Sequence, residues 1–161
     1  MKLLLTNVCS ILQQEMALAD GQVMIYNQKR NIPETTNLWI TVGILSNKPF
    51  GNTSHFDNGI EVQSVNMGAA LSIDIMSRDD SALERNEEIL MALGSSFSQS
   101  IQEKYAFKIA RTPTSFVNLS QIEGPSIPFR FNITMQVIYM VTKKKTIPFY
   151  DTFKNSVVVR P

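Results

Sequence analysis

The chain has 161 residues, 43% of them apolar, and a mean hydropathy of −0.04, the size and composition of one folded, soluble domain with a substantial core. A formal charge of +1 supplies no general attraction to nucleic acid or to an acidic membrane. The lone cysteine, Cys9, excludes an internal disulfide and fits a reducing compartment.

Lys2-Leu3-Leu4-Leu5 and Ala17-Leu18-Ala19 resemble pieces of a signal peptide, but Thr6, Asn7, Gln13, Gln14 and Glu15 interrupt its apolar region. No targeting peptide is therefore expected, and no run reaches the roughly 20 apolar residues of a membrane helix. Instead Leu4, Leu5, Val8, Ile11, Leu12 and Met16 recur at helical spacing and predict an amphipathic helix over about 3–18, closed by the Asp20-Gly21 turn. Gln22–Asn27 reads as a short strand, followed by a polar loop through Pro33. Leu38–Leu45 is a strand rich in β-branched and aromatic residues. Ser46–Gly59, dense in Asn, Gly, Ser and Pro, reads as a long loop.

From Ile60 the chain is extended again. Ile60 and Val62 lie on even positions, whereas Val65, Met67, Ala69, Leu71, Ile73 and Ile75 lie on odd ones, so a β-bulge is expected near Gln63-Ser64. Ser81-Ala82-Leu83-Glu84 matches a capping box that opens a helix over about 81–94, and Phe97 and Ile101 allow its extension to 103. Asp79 and Asp80 lie at the favourable end of its dipole, and Leu83, Ile89, Leu90, Leu93 and Phe97 form its buried stripe. Ala106–Ala110 and Thr114–Leu119 are short extended segments, and Gln121–Pro128 is a loop. Phe129–Thr142 reads as one long strand: Phe129, Phe131, Ile133, Met135, Val137, Tyr139 and Val141 share an apolar face, and Ile138 and Met140 break the polar face near its end. Such a strand outruns an ordinary domain. Lys143-Lys144-Lys145 and a tail with Tyr150, Phe153 and Val157–Val159 complete the C-terminal strand region, 106–159. Strands follow strands without βαβ alternation. The expected fold is α+β: a mainly antiparallel sheet, two helices packed on one face, and long strands or hairpins projecting from the domain.

No catalytic constellation assembles from these residues. His55 with Asp57 makes a poor ligand set, and a solvated loop histidine explains it. Cys9 on an apolar helix reads as a small buried hydrophobe, Asp74 as an outer-face polar residue, and Trp39 as core or interface. Asp79, Asp80, Glu84, Glu87 and Glu88 could attract a cation, but a solvated helix start accounts for them. Gly43, Gly51, Gly59 and Gly68 are too dispersed for a phosphate loop. The lysine triplet without interleaved aromatics is a weak nucleic-acid signal. Met67, Met76, Met135 and Met140 suit both an irregular core and protein contacts. No metal and no cofactor are expected. Overlong strands without an active site favour an assembly protein, through projecting hairpins or strand pairing across subunits.

Leu71-Ser72-Ile73-Asp74-Ile75-Met76-Ser77-Arg78-Asp79, running into the helix from Ser81, resembles the central strand–helix junction of bacteriophage neck and tail-terminator proteins. Pro128-Phe129-Arg130-Phe131, the alternating strand and Tyr150-Asp151-Thr152-Phe153 resemble that family's C-terminal part, so the likeness covers roughly 36–155. It implies a structural virion protein of the tail or neck, assembled in the host cytoplasm: a ring, commonly hexameric, that caps the tail tube and joins it to the head connector. DNA would pass through the lumen without sequence-specific contacts, and no membrane would be involved. On this resemblance the subunit and partner interfaces are expected at Phe50, His55 and Phe56 of the Ser46–Gly59 loop, at Phe116, at Met140 and Lys143, Lys144 and Lys145, and at Tyr150 and Phe153. The alternatives are another tail-tube, baseplate or connector subunit, or a small hydrolase or metal-dependent enzyme centred on His55, Asp57 and Asp74.

Overall fold

A computed structural model describes residues 1–26, 38–57, 59–111, 116–120 and 129–146. The first element, α1 (Lys2–Glu15), buries Leu4, Leu5, Val8, Ile11 and Leu12 on one stripe. It ends before its expected limit because Ala17 takes a left-handed φ of 50°. Leu18 N–H then donates to Gln13 O (2.9 Å) and Ala17 N–H to Gln14 O (3.2 Å), which satisfies the last carbonyls in a Schellman arrangement.

The described strands are β1 (Val23–Ile25), β2 (Leu38–Asp57), β3 (Ile60–Ser77), β4 (Phe107–Arg111), β5 (Val117–Asn118) and β6 (Phe129–Thr146). They form one sheet in the order β1-β2-β3-β6-β4, with β5 also on β6; β1 is parallel to β2 and the other pairings are antiparallel. The α+β expectation holds, and both overlong strands are present.

Residues 46–57, expected as loop, continue β2 as a strand. Their turn-forming composition is overridden by the long partner: β3 offers backbone hydrogen bonds along its full length, from Ser77 opposite Leu38 to Ile60 opposite Asp57. The irregular residues are absorbed at two register shifts, Ile44/Ser46 and Pro49/Gly51, which leave Leu45 and Phe50 as bulges. Pro49 sits next to a bulge on an edge strand, where a missing N–H is tolerated. No bulge occurs near Gln63-Ser64, because β3 pairs with β6 without a shift from Ile60↔Thr146 to Ser77↔Phe129. The change of apolar phase has another cause: Val62 is buried on the face opposite the main core, where Asp74 and Met76 also lie.

Helix α2 (Ser81–Arg85), α3 (Glu88–Gly94) and α4 (Ser96–Lys104) replace the single helix expected there. The capping box does not form. Ser77 Oγ accepts from Ala82 N–H (3.0 Å) and Asp79 Oδ1 from Ser81 N–H (3.0 Å), so Ser77 and Asp79, upstream of the expected cap Ser81, do its work. Ser95 breaks the next helix with an extended backbone and caps α4, accepting from Ser98 N–H at 3.0 Å. Leu83 leaves the buried stripe and is 51% exposed, while Ala82 takes the core position. Arg85, between two helices, donates to Glu88 and to Met16 O (2.7 Å), tying α2 to the C-terminal end of α1. The Glu88 hydrogen bond also holds the guanidinium pKa above its ordinary value.

The core lies between these helices and one sheet face, carrying Ile40, Val42, Leu71, Ile73, Ile75, Phe131, Ile133, Met135 and Val137. Each large side chain buried there contributes roughly 1.5–3 kcal/mol before ordering entropy is counted. The helical layer stops short of the strands' far ends.

Candidate functional site: a projecting three-stranded arm

Beyond the helices, β2, β3 and β6 continue together as an arm with β3 in the middle. β2 is exposed almost throughout from Ile44 onward, and β6 is exposed from Met140 to Thr146. At about 3.3 Å per residue, Gly68 to Ile60 alone carries the arm roughly 25 Å out. Tyr139 marks its root, donating from its hydroxyl to Asn47 Oδ1 at 3.2 Å across the width of the sheet.

Two side-chain faces follow from the register. Val62, half-buried Gly68, Ile138 and Met140 lie on the face opposite the helices. The Phe50 ring covers Gly68 there, and a Cβ at Gly68 would meet Phe50 Cδ1 at 3.8 Å. Val65, Met67 and Val141 lie on the helix side, in line with Phe56 near the tip. The arm thus has a thin apolar centre of its own and apolar side chains turned to solvent: Phe50 is 61% exposed, Phe56 67% and Met140 55%. Apolar side chains exposed together on both faces of one narrow element are a feature of contact surfaces, whereas single ones scattered over a domain are not.

Of the residues expected at interfaces, Phe50, His55, Phe56, Met140, Lys143, Lys144 and Lys145 all fall on this arm. His55 stands opposite Val62, with Lys144 on β3's other side; Phe56 and Lys145 flank Glu61 in the same way. Phe116 is not with them. It packs against the core beside β5, at the opposite end of β6. Tyr150 and Phe153 lie outside the described residues. Leu45, Ile60, Ile138 and Val141, not among the named interface residues, are also exposed there. Ile138 and Met140, filling even positions of an otherwise polar face, are the signal in the sequence.

The residues of the enzymatic alternative do not converge. His55 and Asp57 sit at the arm tip, while Asp74 pairs at the base, twelve residues along β3 from Val62, or about 40 Å. Asp74 is buried, not displayed to water: Arg130 Nε (3.1 Å) and Asn132 Nδ2 (3.0 Å) donate to Oδ1, and Ser72 Oγ (3.3 Å) donates to Oδ2. Trp39 is buried beside this network with the Arg78 guanidinium 5.8 Å from its ring centroid. No group of three His, Cys, Asp or Glu suited to a metal ion occurs among the described residues. An open cleft of about 760 Å³ lies at the arm's root, lined in part by Gln99, Gln102, Glu103, Lys108, Ile138 and Met140; it contains none of His55, Asp57 and Asp74.

No protein-family model matches the chain, and no curated protein matches it in sequence. A solved structure does match. It is the sheath/tube terminator of an extracellular contractile injection system, PVC, in its extended state. The TM-score is 0.52 at 12% identity, over 97% of this chain and 63% of that one. The chain therefore spans less than two thirds of the length of its structural neighbour. At that identity the likeness is one of fold: a terminator-like fold with an elongated mixed sheet. No described helix is long and apolar enough to cross a membrane.

Proposed function

We propose that this chain is a structural subunit that terminates a phage-type tail or injection tube. It assembles as a ring, most simply a hexamer, that closes the end of the tube. In a phage it joins the tube to the head connector and surrounds the path of the DNA. Its work is done by surfaces, without catalysis or cofactor, and its place is the tail of the assembled particle. The observation that carries this reading is the arm, a three-stranded extension with solvent-facing aromatics and no enclosed site. The terminator-like fold supports it independently.

A closed ring needs heterologous contacts, in which two different patches of each subunit meet. Mass photometry and negative-stain microscopy of the purified chain, alone and with its tube protein, test the proposal. Discrete rings that bind tube ends are expected. Indefinite filaments of the chain alone would make it a tube subunit, and a monomer that ignores tube ends would sink the assembly reading.

A further inference from the structure

Among the described residues the arm has two bare edges. On one side, β2 pairs with β1 only over Ile40–Val42, so its outer edge is unpaired along the arm among the described residues. On the other side, β4 ends opposite Tyr139, so the edge of β6 is unpaired from Met140 to Thr146 among the described residues. Rows of unpaired backbone donors and acceptors are templates for strand addition. We infer that the β6 edge, Met140–Thr146, receives the β2 edge, Gly51–Asp57, of a second copy, giving a sheet that runs continuously from subunit to subunit.

Three observations select this occupant. First, the lengths agree. After its last bulge β2 is regular from Gly51 to Asp57, and both this run and Met140–Thr146 pair with the same stretch of β3, Ile60–Asn66. Second, the obstacles agree. On the receiving copy, β4 fills the β6 edge up to Tyr139, opposite Met67, and on the donating copy the Phe50 bulge falls at that same level. A bulge bends its strand, so β2 leaves the shared sheet where β4 would block it. Third, the charges agree. Two β6 edges side by side would bring Lys143, Lys144 and Lys145 against their own copies, and like charges on facing strands are unfavourable. The incoming β2 run carries no lysine or arginine and ends in Asp57, level with Thr146 and next to Lys145.

Both edge strands run antiparallel to β3 and hence parallel to each other. Copies related by rotation about an axis along the arm therefore meet as parallel strands, in a heterologous contact that repeats around a ring. This pairing rests on the ring reading above.

The test is a cysteine pair, Thr142→Cys with Thr53→Cys, in the full chain. Within one subunit these positions flank Ser64 on opposite sides, about 9.5 Å apart across two strand spacings, too far for a disulfide, which needs Cα atoms within about 7 Å. Any bond between them is therefore intermolecular. Mild oxidation should convert most of the double variant into a ladder of cross-linked multimers on denaturing gels, whereas each single variant stays monomeric on the same gel. Intact rings that give no ladder overturn the pairing and leave the terminator reading standing. Cross-linking of Thr53→Cys alone would show β2 meeting β2 and overturn it as well. A chain that remains monomeric by mass photometry, with or without tube protein, defeats both.

Discussion

Arg130 Nε donates to Asp74 Oδ1 at 3.1 Å, joining β6 to β3 on the face of the sheet that the helices do not cover. The same carboxylate collects donors from Asn132 and Ser72, so its removal orphans several polar groups at once. Asp74→Ala is expected to cost about 2–4 kcal/mol, because a buried charge network that loses one member keeps the desolvation cost of the rest. Asp74→Asn, which retains an acceptor, should cost less. Urea midpoints at constant slope check the order.

Phe50 and Phe56 are exposed, so truncating them removes little burial within the subunit. The Phe50→Ser and Phe56→Ser double variant should unfold within about 0.5 kcal/mol of the parent. Its assembly should weaken by roughly tenfold or more, since aromatic anchors dominate interfaces. Equilibrium unfolding and mass photometry on one preparation separate the two effects. A large loss of monomer stability would show that these rings belong to a core.

Ser77 is fully buried, and its hydroxyl accepts from Ala82 N–H while donating to Asp79 O. Ser77→Ala leaves a buried amide without a partner and is expected to cost about 1–2 kcal/mol. Ser81→Ala and Glu84→Ala, the residues of the unformed capping box, should each be nearly neutral. Thermal or chemical unfolding of the three variants tests which residue caps α2.

Burial pushes the Cys9 thiol up to about 11, against an ordinary 9.0. The thiolate fraction at pH 8 is then about 100-fold lower than for an exposed cysteine, and alkylation of the native protein should be slowed by at least that factor. The folded state holds this proton more tightly than the unfolded one. Its contribution to stability is therefore complete below about pH 9 and declines as pH rises toward about 11. Comparison with Cys9→Ala across that window isolates the effect, and equal alkylation rates before and after unfolding would contradict it.

Much of this was legible in the chain. The strict alternation of Phe129–Val141 reported β6 because one of its faces meets a core through Val137 and needs period two. The α1 stripe reported itself in the same way. What was hidden depends on partners. Residues 46–57 carry loop composition and become strand because β3 lies beside them, a fact of tertiary pairing that no local window contains. The cap of α2 comes from Ser77, a strand residue brought near by the turn at Arg78 and Asp79. At the arm, the exposed positions were anticipated as strand ends and a loop. Their union on one three-stranded element required the register of β2, β3 and β6. Phe116, expected at a contact on the family resemblance, packs against the core beside β5, a placement that only the fold reveals.

The register of β3 with β6 also sets the order in which the molecule can form. Asp57 of β2 pairs with Ile60 of β3, three positions away in the chain, so their hairpin closes over short chain distances. β6 must find β3 across a separation that grows from 52 residues at Ser77↔Phe129 to 86 at Ile60↔Thr146. Loop closure favours the nearer pair, so the strand should zip from the base outward, with Met140–Thr146 docking last. Until residue 129 and its successors leave the ribosome, β3 lacks one neighbour along its whole length. The nascent hairpin is then an open template, most vulnerable to misassociation just before the strand that protects it is made.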